Sequence, residues 1–139
     1  MISRREFLMT SGVMAATTAF HQIPLFSQGQ LTTSFEDLRR NVGIFNGQGG
    51  TIGWIVNSDG VLIVDSQNAA AAQACIDGLK ERSSQTIDFL VNTHHHADHT
   101  GGNATFRPVV DSIVAHENSA SWQRQTTEQS GSVDPYPDE

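Results

Sequence analysis

An α/β domain of the α+β type, with a mixed sheet and flanking helices, is the fold class this sequence predicts. Three observations carry it. Asp59-Gly60 stands between two strand-like runs, Thr51 to Val56 and Val61-Leu62-Ile63-Val64, and Asp-Gly in that setting is a strong hairpin signal. Next comes a helical stripe in which Ala69, Ala72, Ile76 and Leu79 recur at steps of three, four and three, one apolar face of a helix. A further apolar run, Ile87 to Val91, follows it. Strands alternating with helices indicate α/β layering, and the hairpin makes the strand pairing mixed.

The chain starts with a separate object. Ser3-Arg4-Arg5-Glu6-Phe7-Leu8 is a twin-arginine sequence ahead of a moderately apolar run from Phe7 to Phe20, which contains Thr10, Ser11, Gly12, Thr17 and Thr18. A transmembrane helix needs about 20 mostly apolar residues, so this run is too short and too polar for stable membrane insertion. A charged start, a short apolar stretch and small residues near Ala19 match an export signal. The match is similar to bacterial twin-arginine signals, which carry proteins already folded. The expectation is therefore export to the periplasm by the twin-arginine translocation machinery, with residues 1–26 as signal and start of linker and residues 27–139 as a partial domain. The polar stretch from Gln22 to Ser34 reads as the linker.

The remaining elements follow in order. Val42-Gly43-Ile44-Phe45 is a strand entering the turn Asn46-Gly47-Gln48-Gly49-Gly50, whose residues tolerate positive φ. Thr51 to Val56 is the second strand and Val61 to Val64 the third, an apolar run of the kind that has both faces covered. Ser66 is the expected cap of a helix running to about Arg82, in which Gly78 costs roughly 1 kcal/mol relative to alanine. Cys75, near the apolar stripe, reads as a small core residue. After the strand Ile87 to Val91 comes a His-rich loop. Gly101-Gly102 then turns the chain into a short helical stretch ending near Pro108. Ser112 to Ala115 is the last strand, and a loose polar tail is expected from about residue 122.

Composition narrows the function. The 139 residues carry a formal charge of -7 and are 37% hydrophobic, enough for one small domain. An acidic chain with no basic patch has no means of neutralising phosphates, which argues against nucleic acid or an anionic membrane as partner. The single cysteine rules out an intrachain disulfide and any Cys-rich zinc site. A small-molecule substrate is the partner class that remains.

The chemistry is concentrated in Thr93-His94-His95-His96-Ala97-Asp98-His99-Thr100-Gly101-Gly102-Asn103. His94, His96, Asp98 and His99 offer three imidazoles and a carboxylate to one small volume, a donor set suited to zinc and also to iron or manganese. In extended backbone His94 and His96 project the same way. Two metals side by side would lower the pKa of a shared water. The Asp98 carboxylate could orient the hydroxide formed or pass a proton to the leaving group. A solvated His-rich loop with adventitious metal affinity is the bland alternative, and the position between a buried strand and a glycine pair weighs against it.

This loop resembles the signature of the metallo-β-lactamase superfamily, and Asp59-Gly60-Val61-Leu62-Ile63-Val64-Asp65 is similar to the strand preceding that family's first helix. The resemblance spans about Val42 to Asn118. It implies an αββα sandwich, here its N-terminal half, and two metals, most often zinc. It also implies that His94 and His96 bind the first metal, and Asp98 with His99 the second. Asp65 would support the site from beneath, while His95 is no ligand and faces away. His116 does not match the family's later ligands. The implied activity is hydrolysis of a β-lactam, thioester, lactone or phosphoester by a metal-bound hydroxide, with Asp98 as the catalytic carboxylate. Family members continue into a second half that brings the remaining ligands, so the alternative is a catalytically incompetent half-domain or a weak metal-binding protein. Such a half would leave one sheet face uncovered and open to self-association.

Overall fold

A computed structural model describes residues 32–131 and 137–138; the twin-arginine segment lies outside the described residues. The elements are β1 (Ser34–Arg39), β2 (Val42–Gly47), β3 (Gly50–Asn57), β4 (Gly60–Val64), α1 (Ala69–Lys80), β5 (Ile87–Asn92), α2 (Ala97–Thr100), α3 (Asn103–Phe106), a 3-10 turn (Arg107–Val109), β6 (Val110–Ala115) and α4 (Glu117–Ser130). The six strands form one sheet in sequence order. β1 to β4 pair antiparallel as a meander. β5 and β6 are added in parallel, each after a helical connection. The sheet is mixed, as the hairpin and the intervening helix require.

Alternation along the strands divides the sheet into two faces. Register places Gly43, Trp54, Ile63, Leu90 and Ile113 side by side across five strands, and this row is the buried one. It packs with Phe45, Ile52 and the buried residues of α1 and α3 into a single core. Gly43 must be glycine, because a Cβ there would run into the Trp54 ring. The neighbouring row, Ile44, Gly53, Val64, Val91 and Val114, faces the other way and is only half-buried. On that face Phe89 is 46% exposed.

Three local expectations are corrected. Asn68, and not Ser66, caps α1: its side chain accepts a hydrogen bond from Ala71 N at 3.0 Å. Ser66 is instead fully buried beside the His-rich loop. Ala69 is exposed, and the buried stripe of α1 is Ala71, Ala72, Cys75, Ile76 and Leu79. Burial within that stripe pushes the Cys75 thiol up to about 12, so it stays neutral and inert.

The loose tail expected from about residue 122 is a helix as far as Ser130. His116 caps α4 by accepting from Asn118 N at 3.2 Å, and left-handed Gly131 closes it. Its buried face consists of Ser119, Ala120 and Gln123, small or polar residues that leave no apolar stripe to read. β1 escaped the sequence for a related reason. In Ser-Phe-Glu-Asp-Leu-Arg only Phe35 turns inward, meeting the Phe45 ring at 4.8 Å. Beyond α4, Pro137 is buried and Asp138 is bonded to β6: its N–H donates to Ile113 O at 2.7 Å, and Ile113 N donates to its carboxylate at 2.8 Å.

Candidate metal centre

The His-rich loop leaves the C-terminal end of β5, the strand end at which parallel α/β units place their sites. α2 begins at Ala97, so His94 to His96 precede the helix while Asp98 and His99 lie in its single turn. This change of backbone direction brings the rings together. The centroid of His94 is 4.9 Å from that of His96 and 4.0 Å from that of His99. Asp98 Oδ2 is 3.5 Å from His99 Nε2.

Asp65 organises the group from below. It follows β4 with a left-handed φ of 65°, a conformation that aspartate tolerates better than most residues. Its side chain is 7% exposed. One carboxylate oxygen accepts from Thr93 N at 2.8 Å, and both accept from Thr93 Oγ1, at 3.0 and 2.8 Å. Oδ2 also lies 2.8 Å from His99 Nδ1. A carboxylate accepts only, so His99 donates from Nδ1 to Asp65, and Nε2, 3.5 Å from Asp98 Oδ2, is the nitrogen left for a metal. Thr93 spends its hydroxyl proton on Asp65, so at the 3.1 Å contact with His94 Nδ1 it acts as acceptor. His94 likewise has Nε2 left for a metal. One buried carboxylate thereby sets two tautomers.

Behind the loop lies a buried polar network that sequence reasoning missed. Ser66 Oγ bonds His99 O at 3.1 Å and Asn103 Oδ1 at 2.9 Å, and accepts from Gly102 N at 3.1 Å. Asn92 and Asn103 exchange side-chain bonds of 3.1 and 2.8 Å. Asn103 also donates to Gln123 of α4 at 3.3 Å. A Cβ on Gly102 would collide with Ser66 O, which is why the glycine pair is needed here. The available signal was Asn103 itself, an amide directly after two glycines.

The His95 ring lies 4.6 Å from that of His96 and stacks on Trp122, with centroids 5.7 Å apart and planes 25° apart. His116 is occupied as a helix cap. A cavity of about 380 Å³ lies elsewhere, at the N-terminal end of β5 between Leu79, Ser84, Thr86 and Pro108. It holds none of the candidate ligands.

With this geometry, residues 46–121 match the family model of the metallo-beta-lactamase superfamily. The chain belongs to the metallo-beta-lactamase superfamily. A hydroxyacylglutathione hydrolase of Brucella anthropi is 40% identical over 62 residues, which cover 39% of this chain and 24% of that protein. Among solved structures, the metallo-beta-lactamase FIM-1 from Pseudomonas aeruginosa, in its mono-zinc form, superposes with a TM-score of 0.59 at 19% identity, covering 67% of this chain and 46% of that one. The metallo-beta-lactamase DIM-1 gives a TM-score of 0.61 at 13% identity, covering 78% and 51%. At these identities the structural likeness establishes the superfamily's fold and nothing finer. The chain spans about a quarter of the hydrolase and about half of the two solved structures.

The donor set suits a metal of the kind this superfamily binds: three imidazoles and a carboxylate, with His94 and His99 engaged through Nδ1. Among the described residues, no three His, Cys, Asp or Glu groups yet gather their donors around one point. His96 and Asp98 are exposed, so each can rotate towards a metal at little cost, whereas His99 is already held by Asp65.

Proposed function

We propose that this chain is part of a metal-dependent hydrolase, with His94, His96, Asp98 and His99 as its share of a centre holding two zinc ions; iron or manganese would suit the same donors. The observation that carries this reading is the Asp65 arrangement, which engages Nδ1 of His99 and, through Thr93, that of His94, so that Nε2 is the nitrogen each offers a metal. When bound, the metal supplies an activated water at neutral pH and a positive charge for the substrate oxygen. The chain's own residues do the rest. Asp65 and Thr93 hold the imidazoles in the ligating tautomer, and Asp98 is the exposed carboxylate placed to orient water or return a proton. The substrate class is a β-lactam, thioester, lactone or phosphoester. Arg4-Arg5 supports export to the periplasm by the twin-arginine machinery, and changing both to lysine should hold the protein in the cytoplasm.

The test is a zinc titration of the purified protein, followed by hydrolysis of one chromogenic substrate from each class with and without chelator. Chelator-sensitive turnover of one class supports the proposal. Metal binding without turnover of any class supports a weak metal-binding protein or an incompetent half-domain. That second reading draws on the ungathered donors. Asp98→Asn separates the two: a hydrolase loses turnover, whereas a metal carrier keeps most of its affinity. The half-buried sheet face carrying Val64, Phe89 and Val91 supports self-association, which sedimentation at increasing concentration would reveal. Among the described residues no helix is long and apolar enough to cross a membrane.

A further inference from the structure

We infer that Trp122 is a positioning residue for the metal loop, and that α4 acts through it as a clamp on the ligands. The inference rests on the metal-binding reading above. Trp122 is 55% exposed, an unusual place for an indole that contributes nothing to the core. Its one ring contact among the described residues is the stack on His95. His95 sits between the two ligands His94 and His96, with ring centroids 6.5 and 4.6 Å from theirs. The His95 ring lies against that of His96, so holding His95 in place also restrains the ligand beside it.

The next residue of the same helix, Gln123, is buried and takes a hydrogen bond from Asn103 at the far end of the loop. Consecutive residues of α4 therefore hold both ends of the segment from His95 to Asn103. Between them lies a small cavity of about 140 Å³, lined among others by His95, Ala97, Gly101 and Gln123. The loop thus has room to shift if its anchors are lost. Because the indole is mostly exposed, its removal leaves the core untouched and acts on the loop alone.

The experiment measures zinc affinity by competition with a chromogenic chelator for the parent protein and for Trp122→Ala, Trp122→Phe, His95→Ala and His95→Phe. Metal-free thermal unfolding is measured alongside. An aromatic stack has an energy that corresponds to roughly 3- to 10-fold in affinity. Both alanine variants should lose about that much, both phenylalanine variants should stay near the parent, and metal-free unfolding should barely move. Zinc affinity of Trp122→Ala equal to the parent's would overturn the inference while leaving the metal centre standing. Equal losses in His95→Phe and His95→Ala would overturn it too, by making the imidazole itself a ligand. A parent protein that binds no zinc would bring down the proposed function, and the inference with it.

Discussion

Asp65 Oδ2 and His99 Nδ1 stand 2.8 Å apart beneath the His-rich loop, and the same carboxylate takes the Thr93 hydroxyl at 2.8 Å. Asp65→Asn keeps the size of the side chain but puts an amide donor where an acceptor stood. His99 would then accept on Nδ1 and move its proton to Nε2, the atom a metal needs. Zinc affinity should fall by about 10- to 100-fold, with a much smaller change in the thermal midpoint. A chelator competition assay reads the first quantity and calorimetry the second; unchanged affinity would refute the role given to Asp65.

Asn103 joins β5, the loop after β4, and α4 in one buried network. Asn103→Leu would strip hydrogen bonds from Asn92, Ser66 and Gln123, and each buried group left alone costs about 1–3 kcal/mol. The urea midpoint should drop accordingly, by more than in Thr126→Ala, an exposed α4 position outside the network. A drop no larger than that control's would show that the network reorganises freely.

Gly78 looks like a weak point of α1, since alanine is favoured there by about 1 kcal/mol on propensity alone. Yet a Cβ at this position would overlap the Phe35 ring. Gly78→Ala should therefore destabilise the protein. In a Phe35→Ala background the same change should stabilise it, by up to about 1 kcal/mol. A double-mutant cycle by chemical denaturation reads the change of sign.

The Arg107 guanidinium, bonded at 2.8 and 3.0 Å, holds the Asp138 carboxyl below its ordinary range, helped by the Ile113 N–H. A carboxyl depressed in the folded state contributes stability that is present above its unfolded pKa and is lost as pH falls through the folded value. The window is therefore acidic, from about pH 4 downward. Asp138→Asn should flatten the fall in thermal midpoint over that window, by a modest amount because the pair is partly exposed. Identical acid profiles for parent and variant would count against the contact.

Much of this was legible in the sequence, for stated physical reasons. The hairpin at Asp59-Gly60, the two central strands and α1 all announce themselves through apolar periodicity. The ligand loop announces itself through residue types that have little other reason to cluster. What was hidden lacks such a signature. β1 has one inward apolar residue, Phe35, among charges. α4 buries Ser119, Ala120 and Gln123, so its stability comes from caps and hydrogen bonds that span the fold. Ser66 reads as a helix cap because serine favours caps, but Asn68 takes that role and Ser66 is drawn into the network under His99. Trp122 could not be assigned at all until its partner ring was known.

The two margins of the sheet carry a consequence for how the protein can assemble. β6 has its outer rim occupied by Asp138, and β1 presents Glu36, Asp37 and Arg39 with a break in register between Asp37 and Arg39. Charged, irregular or occupied rims offer a poor template for strand addition. Lateral strand addition is therefore disfavoured at both rims, while the half-buried apolar row remains open. Association of this chain should therefore favour face-to-face pairing of that row over growth edge to edge.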